Sequence, residues 1–172
     1  MNSVKRKHAK LLVGLIFRDP GIYLKTQKAL ERKFGSIGAQ SQVFDFNYTE
    51  YYKDELGSYL KRRFLVFEKP VDISGMDRVK NYAMGLERLL SVGGKRTVNI
   101  DPGYLTAAKL VLTTRKDYSH RIYLRNGVYA EVTLFFRNKS FEPFPWTFPD
   151  YRSEGYLGFF NRVRQEYKRQ LS

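Results

Sequence analysis

Residues 120–133 read His120-Arg121-Ile122-Tyr123-Leu124-Arg125-Asn126-Gly127-Val128-Tyr129-Ala130-Glu131-Val132-Thr133, and how this stretch folds decides the fold class. Asn-Gly is the favoured pair for a two-residue type I′ turn, whose positive φ angles match the twist of antiparallel strands. β-Formers flank it on both sides, so residues 120–136 are predicted to form an antiparallel hairpin. An unbroken ladder sets Arg125 opposite Val128, Tyr123 opposite Ala130, Ile122 opposite Glu131 and His120 opposite Thr133. Alternation then places His120, Ile122, Leu124, Tyr129, Glu131 and Thr133 on one face, and Arg121, Tyr123 and Arg125 on the other. His120 and Glu131 become diagonal neighbours.

Outward from the hairpin, the chain alternates strand and helix signals. Residues 10–17 read as a buried strand. Asp19 and Pro20 then open a helix, its stripe Tyr23, Thr26, Leu30 and Phe34 ending at Gly35. Residues 42–46 and 64–67 are predicted strands, separated by the tyrosine-rich residues 47–59, a long loop or short surface helix. Residues 74–90 give the clearest helix, with Met76, Val79, Ala83, Leu86 and Leu90 on one stripe. A strand over residues 96–100 follows. Residues 105–114 fit either helix or strand, with helix preferred.

The order strand, helix, strand, strand, helix, strand predicts an α+β, ferredoxin-like (split βαβ) antiparallel sheet with helices on one face. To it are added the C-terminal hairpin and a terminal helix from about Ser153, striped by Tyr156, Phe160, Val163 and Tyr167. The aromatic, proline-rich residues 141–151 are expected to strap across the sheet. At 172 residues the chain is read as a single domain, residues 1–9 being a flexible basic N-terminus.

Hydrophobic residues make up 42% and aromatic ones 16%, a composition that excludes a disordered chain. Cysteine is absent, which removes disulfides, zinc-thiolate sites and cysteine nucleophiles together. Two histidines cannot build a multi-histidine centre, so any divalent metal needs oxygen or imidazole ligands and zinc is not expected. No stretch approaches the roughly 20 apolar residues that span a bilayer, and no export signal stands at the N-terminus, so a cytoplasmic address and no membrane partner are expected. Thirty-one Lys and Arg against 17 Asp and Glu leave a formal charge of +14, which favours an anionic partner.

Three acidic or imidazole groups are candidates for acid/base chemistry or for holding a hard metal: Asp101, His120 and Glu131. Asp101 opens Asp101-Pro102-Gly103 at the expected end of a strand, a position where functional carboxylates are common and ordinary turns equally so. Lys116 and Arg121 are placed to neutralise a phosphate or carboxylate, with Tyr104 and Tyr123 as further ligand contacts. No Gly-x-x-x-x-Gly-Lys-Ser/Thr loop, Gly-x-Ser-x-Gly elbow or His-Glu-x-x-His pair occurs.

Several blocks together resemble a bacterial and archaeal family known as a domain of unknown function, some members of which carry the label GTP-binding protein. They are Tyr48-Thr49-Glu50-Tyr51-Tyr52, Leu60-Lys61-Arg62-Arg63-Phe64-Leu65, Asn99-Ile100-Asp101-Pro102-Gly103-Tyr104-Leu105, Lys116-Asp117-Tyr118-Ser119-His120-Arg121-Ile122-Tyr123-Leu124, Gly127-Val128-Tyr129-Ala130-Glu131-Val132-Thr133-Leu134 and Pro145-Trp146-Thr147-Phe148-Pro149-Asp150-Tyr151. The resemblance implies no catalytic residues. From the residues themselves the first expectation is binding or turnover of a small anionic ligand, phosphorylated or nucleotide-like. The alternatives are an RNA-associated module, using basic clusters and exposed tyrosines, and a protein interaction module without chemistry.

Overall fold

Leu11 to Phe17 are buried on both faces, which only a strand at the centre of a sheet achieves. The computed structural model describes residues 7–172, and within them β1 (His8–Phe17) pairs antiparallel with β4 (Leu60–Phe67) on one side and with β6 (Val98–Leu105) on the other. The expected flexible N-terminus lies outside the described residues up to residue 6, while His8 and Ala9 pair with β5 (Val71–Asp72).

The remaining strands are β2 (Ile37–Gln40), β3 (Phe44–Phe46), β7 (Lys109–Thr114), β8 (Arg121–Arg125), β9 (Val128–Arg137) and β10 (Ser140–Pro143). All ten form one antiparallel sheet in the order β10-β9-β7-β6-β1-β4-β2, with β3 on β4, β5 on β1 and β8 on β9. The mixed α/β class with a large antiparallel sheet and a C-terminal helix therefore stands. The ferredoxin-like form is not established, because the sheet has ten strands and the C-terminal hairpin extends it instead of sitting apart.

Helices cover both faces, not one. Helices α1 (Pro20–Phe34) and α3 (Met76–Leu89) pack on the side of Leu11, Val13 and Leu15. Helix α4 (Glu154–Leu171) packs Tyr156, Phe159, Phe160 and Val163 on the other side, against Leu12, Phe64 and Leu110. Asp19 caps α1 by accepting from the Gly21 and Ile22 amides, and Gly35 ends it at φ 93°. The loop of residues 47–59 contains one short helix, α2 (Lys53–Leu56).

Three local expectations are corrected. Residues 109–114 are strand β7, because Leu110, Val111 and Leu112 bury better against β6 and β9 than a helix would allow. Asp101-Pro102-Gly103 is not a turn but the middle of β6, opposite Gly14, Val13 and Leu12 of β1. The hairpin bends at Asn126 and Gly127 with φ of 53° and 72°, yet its register breaks between Tyr123 and Arg125. The extra residue at the bulge moves Arg121, not Ile122, opposite Glu131 and turns the lower half of β8 over.

Candidate functional site

The β6–β7 ladder covers only Gly103 to Leu105, so among the described residues the β6 edge from Val98 to Pro102 has no partner strand on that side. Pro102 stands where the pairing stops and can donate no backbone hydrogen bond there. Gly103 permits the close approach just beyond it, since a methyl group at that position would run into the Val111 carbonyl oxygen. Beyond this pinch the strands part, and a cavity of about 440 Å³ opens between β6, β7, α3, the 47–59 loop and residues 148–151.

Arg62 forms its floor. The guanidinium is buried between Asp101 and Asp150, with both N···O distances 3.1 Å, and lies over the rings of Phe46, Phe64 and Tyr151. Gly14 makes room for it: a Cβ there would stand 2.9 Å from Arg62 Nη1. Asp101 also accepts from Asn99 Nδ2 at 2.8 Å. Burial pushes the Asp150 carboxyl above the usual carboxylate range, with the Arg62 charge pulling the other way. Among the described residues, Arg62 Nε and the Tyr151 hydroxyl have no hydrogen-bond partner, so the floor keeps unused hydrogen-bonding capacity.

A second buried group comes from α3. Glu87 accepts from the Ile100 amide at 2.7 Å and pairs with Arg96, which also holds Glu55. Burial pushes the Glu87 carboxyl up as well, against the Ile100 amide and the Lys80 and Arg96 charges. Two turns earlier on the same helix, Lys80 is 92% buried, and among the described residues its ammonium reaches a single acceptor, the Ile100 carbonyl at 3.4 Å.

The hairpin supplies the third wall. Glu131 Oε2 lies 2.8 Å from Arg121 Nε and 3.1 Å from His120 Nε2, while Oε1 accepts from Thr133 Oγ1 at 3.3 Å. The expected His120–Glu131 contact is therefore made, but by a different route: His120 reaches Glu131 from the turn before β8. Its ring stacks between Tyr118 and Trp146, and it does not line the cavity.

Of the residues singled out from sequence, Asp101, Glu131, Lys116 and Arg121 line the cavity. Tyr104 lies on the α1/α3 side of the sheet, where burial pushes its hydroxyl pKa up. Tyr123 stands exposed on β8, its hydroxyl accepting from the Gly127 amide. Neither Tyr104 nor Tyr123 lines the cavity. Sequence reading missed the buried Arg62, Lys80, Glu87 and Asp150 and the half-buried Arg96, all of which line the cavity. A signal existed for Arg62 alone, as a cation at a buried-face position of a strand that alternates as Leu60, Arg62, Phe64 and Val66.

Among the described residues, no group of three or more His, Asp or Glu side chains is arranged to hold a metal ion, and no helix is long and apolar enough to cross a membrane. No curated protein and no solved structure is significantly similar to the chain. A family model does match, over residues 7–167, and its description is Domain of unknown function (DUF4416). That span takes in every strand and nearly all of α4, so the chain belongs to the DUF4416 family.

Proposed function

We propose that the cleft between β6 and β7 binds a small anionic molecule, phosphorylated or nucleotide-like. One observation carries this reading: among the described residues, Lys80, Arg115 and Lys116 line the cavity with no carboxylate in ion-pair reach, while Arg62, Arg96 and Arg121 beside them are each neutralised. Cations left without acidic partners in a concave, partly apolar site favour a ligand that brings the missing charge. Tyr51 and Phe148 at the lining suit a planar group.

Acid/base or metal-holding work by Asp101, His120 and Glu131 belongs to the same proposal with less support. Asp101 and Glu131 already accept from two or more donors, and His120 acts on the cavity only through Glu131. The GTP-binding label of similar proteins draws no support from a phosphate-loop motif. The ferredoxin-like reading is supported by the strand order β6-β1-β4-β2 with α1 and α3 on one face, a unit that the later strands extend. A cytoplasmic address is supported by the absence of cysteine.

The RNA alternative needs free aromatic faces beside cations. Tyr118, His120, Trp146 and Phe144 form such a row, but they stack on one another, and Arg121 covers Tyr118. Thermal-shift screening of the chain against phosphorylated and unphosphorylated metabolites tests the two readings. The expected result is a saturable shift with a phosphorylated compound that Lys116→Ala weakens. Salt-sensitive RNA binding indifferent to Lys116→Ala, with no small-molecule shift, would overturn it.

A further inference from the structure

We propose that the occupant of the cleft is a nucleoside monophosphate, its phosphate held by Lys80 and Arg115 and its base at Tyr51 and Phe148. This rests on the anion-binding reading above and narrows it to one ligand class. The cavity lining carries six cationic and four acidic side chains, a formal excess of two positive charges. A phosphomonoester brings about −1.5 to −2 at neutral pH, which matches that excess. A triphosphate brings more negative charge than that excess.

The phosphate end is set by Lys80. An ammonium has three N–H donors, and that of Lys80, a residue 92% buried, makes one long bond among the described residues, to the Ile100 carbonyl. A buried donor set so poorly used is costly unless a ligand completes it. Arg115 is a second cation of the lining, its Nη1 3.3 Å from Oδ1 of Asn81, the residue of α3 that follows Lys80. Its remaining contact is the Asn126 carbonyl at 3.4 Å, so the fork is still free for a bidentate oxyanion.

Tyr51 and Phe148 set the other end. Tyr51 is 62% exposed and held upright by Lys116, whose ammonium stands 4.6 Å from the ring centroid, and by Tyr52, edge-on at 4.9 Å. Phe148 is 51% exposed and has no aromatic partner among the described residues. Two exposed rings at the cavity gain apolar contact from a base entering beside them. A volume of about 440 Å³ lies in the range of pockets that enclose one small organic molecule.

Calorimetric titration of the full chain with the four common ribonucleoside monophosphates, their nucleosides and their triphosphates tests this. At least one monophosphate should bind, at least tenfold more tightly than its nucleoside and more tightly than its triphosphate. Lys80→Met should bring the monophosphate to the level of the nucleoside, and Arg115→Ala, on the exposed side of the site, should weaken it in the same direction. Tighter binding of the triphosphate, or unchanged affinity in both variants, overturns the monophosphate assignment while leaving anion binding in place. Binding of a sugar phosphate in preference to every nucleotide does the same. If none of these compounds nor inorganic phosphate binds, both readings fall.

Discussion

Arg62 and Lys80 are both buried and both line one cleft, yet Arg62 sits between two carboxylates and three rings, whereas Lys80 reaches one carbonyl. The difference separates two jobs that burial alone does not distinguish. A charge neutralised by carboxylates within the protein holds the fold, tying β4 to β6 and to the strap of residues 148–151. A charge without a carboxylate in ion-pair reach is, on the proposed reading, the one open to an arriving anion.

The Arg62 side of that comparison predicts the largest effect. Arg62→Met leaves Asp101 and the buried Asp150 facing each other without a cation between them. The loss should be about 3–5 kcal/mol, read by urea denaturation, as for other buried pairs with one partner removed. A loss under about 1 kcal/mol would place Arg62 with Lys80 and dissolve the contrast.

A smaller effect is expected at the pinch that keeps the two regions apart. Gly103→Ala forces β7 away from β6 at the Val111 carbonyl, and overpacking of this kind costs about 1–3 kcal/mol. Because Gly103 closes one end of the cleft, the same variant should also alter ligand affinity. Loss of stability with wild-type affinity would show that the pinch serves packing only.

Titration gives the next test. Burial raises the folded-state pKa of Glu87 above its unfolded value, so between the two values the native chain binds more protons than the unfolded one. Stability attributable to Glu87 therefore increases as pH falls through the raised pKa towards about 4.3, the ordinary glutamate value. Glu87→Gln removes that increment, and the stability difference between wild type and variant should grow as pH drops through this window. A flat difference would mean that Arg96 and the Ile100 amide fully offset the burial.

Much of this was legible in the sequence, because the relevant signals are local. The Asn126-Gly127 turn, the Asp19 cap and the apolar stripes of α1, α3 and α4 are decided within a few residues of themselves. What was not legible depends on partners far along the chain. Period-two counting cannot see the bulge between Tyr123 and Arg125, which put Arg121 opposite Glu131. Asp101-Pro102-Gly103 carries turn chemistry, and only pairing with β1 shows it to be strand. Arg62 finds its acidic partners 39 and 88 residues away, a separation that no motif encodes.

The smallest expected change in stability falls on the residue with the largest expected change in binding. Lys80→Met keeps the length and most of the volume of the side chain while deleting a buried ammonium with one weak acceptor. The methionine can fill the same space with apolar contact, and the lost bond to Ile100 is long enough to contribute little. Stability should stay within about 1 kcal/mol of wild type, since removing a poorly satisfied buried charge offsets what its remaining contacts supplied. Denaturation of Arg62→Met and Lys80→Met side by side makes the contrast quantitative. If Lys80→Met proves as damaging as Arg62→Met, Lys80 is structural after all, and a binding defect in that variant would say nothing about a ligand.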